Sequence, residues 1–156
     1  MRLRLGFLFL LLGSLSFTIA RADMDEPKTT KISHHNGLVI QLPDSLAAIQ
    51  TPDGFRIQPA QTAELRSPIE MIVSLHQGSA PAGDWPDKRT LAGKLVRFRL
   101  DKSEGGSGGE MFTLTAWEAY SGGYILFRYS EQSEAVGTPD LAPAWNLMMG
   151  VGTRID

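Results

Sequence analysis

Cysteine is absent from the 156 residues. No disulfide staples the fold, no thiolate binds metal or attacks a substrate, and no lipid attaches at a processed amino-terminal Cys. Asn-x-Ser/Thr acceptors are absent too, so nothing favours a glycosylating secretory route over a bacterial periplasm. An excess of positive charge is also missing: Lys and Arg number 15 against 17 Asp and Glu. This balance argues against nucleic acid as a partner.

Long apolar runs are scarce. The stretch Leu5 to Ala20 is free of charge, but it is shorter than the ~20 residues a membrane-crossing helix needs. Arg2 and Arg4 precede it and Ala20-Arg21-Ala22 closes it, the order of a cleavable secretory signal. Residues 1–22 are therefore expected to leave on export, and the remaining 134 residues have the size of one domain with a single core. With Arg2, Arg4 and Arg21 gone, 12 basic side chains face 17 acidic ones. The expected product is a soluble periplasmic protein without membrane contact, whose charge suits a basic protein partner or simple solubility.

Residues 23–33 read as a flexible lead: Asp23 to Lys31 is polar, holds Pro27 and shows no period. A single domain over 34–156 follows. Leu38, Ile40 and Leu42 alternate with Val39 and Gln41 up to Pro43-Asp44, a strand ending in a turn. Ser45 to Gln50 predicts a short helical turn, and Phe55 and Ile57 mark a short strand over Gly54 to Gln58. Met71, Val73 and Leu75 alternate with Ile72, Ser74 and His76 in a half-buried strand. Gly78 to Lys88, with two prolines, Gly83 and Trp85, reads as a loop.

Period two is clearest next. Val96, Phe98 and Leu100 are expected inward, with Arg97, Arg99 and Asp101 outward. After the tract Gly105 to Gly109, Phe112, Leu114 and Ala116 alternate with Met111, Thr113, Thr115 and Trp117, and Tyr124 to Tyr129 closes a three-strand meander. The period then changes: Thr138-Pro139-Asp140 offers capping, and Leu141, Trp145, Met148 and Met149 fall at helical spacing before Gly150. The expected fold class is α+β, an antiparallel sheet of about five or six strands with a C-terminal helix and a short N-terminal one in a two-layer sandwich.

Catalytic patterns fail on context. Gly105-x-Ser107-x-Gly109 matches a nucleophile elbow, but a strand rather than a helix is predicted after Ser107 and no His follows it. The tract lacks the Lys and Ser/Thr of a phosphate loop and the last Gly of a dinucleotide fingerprint. His34 and His35 are adjacent, so on a strand they point apart, and His76 stands alone. Acids are not paired at a readable spacing. No catalytic residue, metal or cofactor is expected.

Surface loops remain as the place for function. Glu104 and Glu110 flank the Gly tract around Ser107, Tyr120 lies at the next turn, and Asp84 and Trp85 sit in the preceding loop. These six are the candidate partner-binding residues, a flexible acidic loop being suited to enter a cleft and pair with a basic or catalytic group.

The series Gly-Leu-Val-Ile-Gln-Leu-Pro, Leu-Ala-Gly-Lys, aromatic meander and Trp-containing terminal helix resembles the small periplasmic domains related to DcrB, with a Mog1/PsbP-type sandwich, across most of residues 34–150. Within that group the chain looks most like periplasmic immunity proteins of bacterial type VI secretion. The resemblance implies a non-enzymatic inhibitor that binds a cognate peptidoglycan-hydrolase effector, a muramidase, and occludes its groove. The alternative it leaves open is a DcrB-like envelope accessory or ligand-binding protein. An apolar pocket would favour that alternative, and acidic loops beside a flat aromatic patch would favour inhibition.

Overall fold

The computed structural model describes residues 28–60, 70–105, 109–133 and 138–154. The expected signal segment and Ser107 lie outside the described residues. Ten strands and one helix occur among them: β1 (Thr29–Ser33), β2 (Leu38–Pro43), β3 (Leu46–Thr51), β4 (Gly54–Pro59), β5 (Glu70–Gln77), β6 (Asp87–Leu91), β7 (Lys94–Glu104), β8 (Glu110–Tyr120), β9 (Gly123–Ser133), α1 (Ala142–Met149) and β10 (Val151–Thr153). They form a three-stranded sheet, β1-β2-β10, and a seven-stranded sheet, β3-β4-β5-β9-β8-β7-β6, paired antiparallel throughout.

The α+β class and the β7–β8–β9 meander stand, but five or six strands become ten. Three of the additions, β1, β6 and β10, are short edge strands with mostly exposed or irregular burial. Such strands carry little of the alternation by which a strand is read. Thus the lead expected through residue 33 ends earlier, because Thr29 to Ser33 pair with Pro43 to Val39. Likewise Asp87 and Lys88, read as loop, already pair with Phe98 and Arg97.

The short N-terminal helix is also corrected. Residues 46–51 are strand β3, paired from Leu46↔Pro59 to Thr51↔Gly54 around a two-residue turn. Leu and Ala favour helix, but the ladder to β4 and the partial burial of Leu46 and Ala48 against the core outweigh that preference. The Leu91-Ala92-Gly93-Lys94 motif is another such turn, joining β6 to β7 with φ of 47° at Ala92 and 81° at Gly93. Two successive positive φ values define the hairpin turn whose twist matches its strands.

Alternation builds the core. Leu38, Ile40 and Leu42 of the small sheet, Phe55, Val73, Leu114, Phe127 and Tyr129 of the large one, and Ala144, Trp145, Leu147 and Met148 of α1 are all buried in one cluster. Helix α1 starts later than Thr138: the Ala142 N–H donates to Asp140 Oδ1 at 3.0 Å, and Pro143 lies in the first turn, where a missing N–H costs nothing. Leu100, expected inward, is 39% exposed; β6 pairs with β7 only as far as Asp87↔Phe98, so at Leu100 β7 has lost its neighbour on that side.

A polar joint ties the two sheets. His34 is buried, and its Nε2 donates to Thr51 O at 2.9 Å while Nδ1 accepts from Asn36 N. Asn36 donates to Asp53 O and accepts from Leu38 N. The β1–β2 turn is thereby fastened to the β3–β4 turn.

Candidate functional site

Side chains alternate across a strand, so the register assigns each residue of the large sheet to a face. One face carries Val73, Leu114, Ala116, Ile125 and Phe127 and lies under the small sheet and α1. The other carries His76, Tyr124, Leu126, Trp117 and Arg99, all partly or largely accessible.

On this outer face the aromatic rings make a continuous row. His76 stacks on Tyr124, directly opposite it, at 5.0 Å between ring centres. Tyr124 meets Trp117 edge to face at 6.4 Å, and Trp117 meets Trp85 in the same way at 6.3 Å. The Arg99 guanidinium lies 5.2 Å from the Trp85 ring and pairs with Asp101 at 3.3 Å. Trp85 itself is held from the loop by donating to Pro81 O at 3.2 Å. Edge-to-face pairs and cation–π contacts add modestly to burial. Tyr, Trp and Arg together are the residue types that concentrate binding energy at protein interfaces.

One feature of the row is costly. Trp117 Nε1 is shielded from solvent and has no hydrogen-bond partner, which typically costs about 1–3 kcal/mol. His76 fares better, with Nε2 at 2.8 Å from Ser74 Oγ.

The Gly-tract hairpin lies elsewhere. Glu104 and Glu110 face each other in register, so their side chains share a face, and Gly105 N donates to Gly109 O at 3.1 Å. Lys102 pairs with Glu110 Oε1 and lies over Phe112, leaving Glu110 Oε2 shielded and unpartnered. Glu104 is exposed. The segment after Gly109 enters strand β8, not the helix that a nucleophile elbow requires.

The five candidate residues among those described therefore divide among separate places. Trp85 belongs to the outer face, and Asp84, its neighbour in the loop, is exposed. Glu104 and Glu110 sit at one end of β8. Tyr120 sits at the other end, ten residues or about 33 Å along the strand, where its hydroxyl donates to His76 O at 3.3 Å. Sequence reasoning missed Trp117, Tyr124, His76 and Arg99 as companions of Trp85. The outward positions of β8 were legible, but not that a loop would fold Trp85 onto them.

Two buried titratable groups lie on the covered side. Glu118 is bonded to Lys94 at 3.0 Å, and Lys94 also reaches Val151 O at 3.1 Å. Burial raises the Glu118 carboxyl above its usual range, with Lys94 opposing the shift. Burial likewise pushes the Tyr129 phenol up, and the nearby Glu131 and Asp140 charges add to this. Among the described residues no group of three His, Asp or Glu is placed to hold a metal ion. Nor is any helix there long and apolar enough to cross a membrane. An open groove of about 730 Å³ runs beside α1, lined in part by Pro43, Leu46, Leu147 and Met149.

Comparison with known proteins adds family and fold. The family model of the type six secretion immunity 3 domain matches residues 39–151. A Pseudomonas aeruginosa protein named Immune protein Tsi3 is 31% identical over 139 residues, covering 89% of this chain and 92% of its own length. The solution structure of cyanobacterial PsbP (CyanoP) from Synechocystis aligns with a TM-score of 0.54 at 11% identity, over 92% of this chain and 99% of that one. A Bacteroides thetaiotaomicron crystal structure aligns at 0.53 and 12% identity, over 76% of this chain, which spans 46% of that protein. The fold is thus PsbP-like.

Proposed function

The chain belongs to the type six secretion immunity 3 family, and from that premise we propose that it neutralises one cognate peptidoglycan-degrading effector in the periplasm by binding over its substrate groove. Membership in an immunity family implies protection by binding rather than catalysis. The signal-like residues 1–22 support export to the compartment where a wall-degrading enzyme would act. Muramidase is the effector class we infer, a glycosidase whose cleft must admit a glycan strand and is disabled by anything that fills it.

The observation that carries the binding reading is the uncovered outer face. A Trp85–Trp117–Tyr124 row with Arg99 at its end has the composition of an interface centre. Apart from that row, the exposed Glu104 at the hairpin end, on the side of β7 opposite Arg99 by register, supplies an acidic projection. The open groove beside α1 favours the second reading, an envelope accessory or ligand-binding protein.

The test is capture from the periplasmic and secreted fractions of the producing bacterium, with the purified protein as bait. A peptidoglycan hydrolase should be retained, and its release of muramic-acid-ended fragments should stop once bait reaches a one-to-one ratio. Retention of envelope-assembly components without a hydrolase would move the assignment to the second reading. A captured hydrolase that cleaves peptide cross-links would keep immunity and overturn muramidase.

A further inference from the structure

Among the described residues the large sheet ends on one side at β3, and no strand there pairs with its outer edge. Leu75 N donates to Asp53 O at 2.9 Å, and residues 53 and 75 continue the β4–β5 register of Gly54↔Ser74. Antiparallel pairs alternate between bonded and non-bonded, so the odd residues of β4 bond β5 and the even ones bond β3. Gly54, Arg56 and Gln58 then bond Thr51, Ile49 and Ala47. The N–H and C=O groups of Leu46, Ala48 and Gln50 consequently point away from β4, toward the open edge.

Four edge strands exist among the described residues, and three are guarded in the usual ways, by charge or by shortness. β6 carries exposed Asp87, Lys88 and Arg89, β1 carries exposed Lys31, and β10 is three residues long. β3 reads Leu-Ala-Ala-Ile-Gln-Thr, with no charge and no proline, and Ile49 on it is 48% exposed. An uncharged edge of this kind is a template for another strand.

The geometry points to a second copy of this chain as the occupant, the two β3 strands pairing antiparallel about a two-fold axis through Ala48. In that register the three outward-bonding residues match themselves: Ala48 faces its own copy and Leu46 faces Gln50. On the outer surface each Ile49 faces an Ala47, large against small, which is a favourable cross-strand pair. No charge meets a like charge. An isologous two-fold contact closes on itself and so stops at a dimer, joining two seven-stranded sheets into one. The dimer depends on no property of the effector and stands or falls separately from the proposed function.

Sedimentation equilibrium of the purified protein across micromolar concentrations, with cross-linking of single-cysteine variants, tests this. The natural chain has no cysteine to confuse the readout. Ala48→Cys should give a covalent dimer under mild oxidation, since a bonded antiparallel pair sets Cα atoms about 5.5 Å apart, within disulfide reach. Ile49→Cys should not, because Ile49 faces Ala47 rather than itself. Ile49→Lys, at an exposed position, should weaken self-association about tenfold or more. A monomer throughout the range overturns the proposal, as does a dimer indifferent to Ile49→Lys, or cross-linking of the Ile49→Cys variant in preference to the Ala48→Cys one.

Discussion

On β8, Phe112, Leu114, Ala116 and Glu118 turn to the covered side and are buried, while Met111, Thr113, Thr115 and Trp117 between them turn outward and stay half-exposed. Neighbouring residues of one strand thus meet two different environments. The covered face is closed by the small sheet and α1, so its side chains answer to packing density. The outer face has aromatic rings but no second layer among the described elements, and an uncovered row of this kind is where a partner adds the missing layer. The difference separates what holds the protein together from what it presents.

The sharpest break between the faces is expected from cavity formation. Phe127 is fully buried, and Phe127→Ala should lose about 3–5 kcal/mol in urea unfolding, through lost burial and the cavity left behind. Its effect on effector binding should vanish wherever the variant is still folded. A loss below about 1 kcal/mol would mean that the covered face is not the core.

Trp85→Ala should reverse the pattern. Stability should change by about 1 kcal/mol, since Trp85 lies half-buried in a loop and its removal re-solvates Trp117 Nε1. Affinity for the captured effector, by titration calorimetry, should fall about 30-fold, the effect of one interface hot spot of about 2 kcal/mol. Unchanged affinity would show that the outer face is not the contact.

How much of this was legible in the sequence follows the same division. Covered strands announce themselves, because a core selects one side of each: Leu38-Ile40-Leu42, Met71-Val73-Leu75 and Phe112-Leu114-Ala116 are legible from period two alone. Edges are not, since β1, β6 and β10 have little to bury. At β3 a helix-favouring composition is overridden by a ladder to residues three to thirteen positions away, a cause outside the segment itself. Of the candidate contacts, Trp85 could be singled out as a loop tryptophan without an evident core role. Its companions depend on a loop closing over β8, which no spacing encodes. Glu118 continues the inward row of Phe112, Leu114 and Ala116, but the Lys94 that meets its carboxylate comes from 24 residues away, which no local spacing encodes.

That pair gives a pH test on the covered side. A carboxyl whose pKa is raised in the fold binds its proton more tightly there than in the unfolded chain. Its contribution to stability is therefore largest at low pH and is lost as pH rises through the folded value. Glu118→Gln keeps an acceptor for Lys94 and removes the titration, so the variant should gain relative to the natural protein on going from acid to neutral pH. Lys94 is half-exposed and can turn to water, so the change should stay near ~1 kcal/mol. Parallel stability profiles from acid to neutral pH would contradict the raised carboxyl.

The smallest structural effect belongs to the hairpin end. Glu104 is exposed and takes part in none of the ion pairs found among the described residues, so Glu104→Ala should leave stability within about 0.5 kcal/mol. Its consequence for binding decides between two modes of occlusion. If the β7–β8 hairpin enters the effector's groove, the Glu104→Ala variant loses affinity, and the loss shrinks with added salt because an exposed carboxylate acts through a screened field. If the outer face alone makes the contact, affinity is unchanged by Glu104→Ala and falls only with Trp85→Ala. The double variant then distinguishes one continuous footprint from two: Glu104 lies five residues along β7 from Arg99, which meets the Trp85 ring, roughly 16 Å, far enough for independent contacts to add.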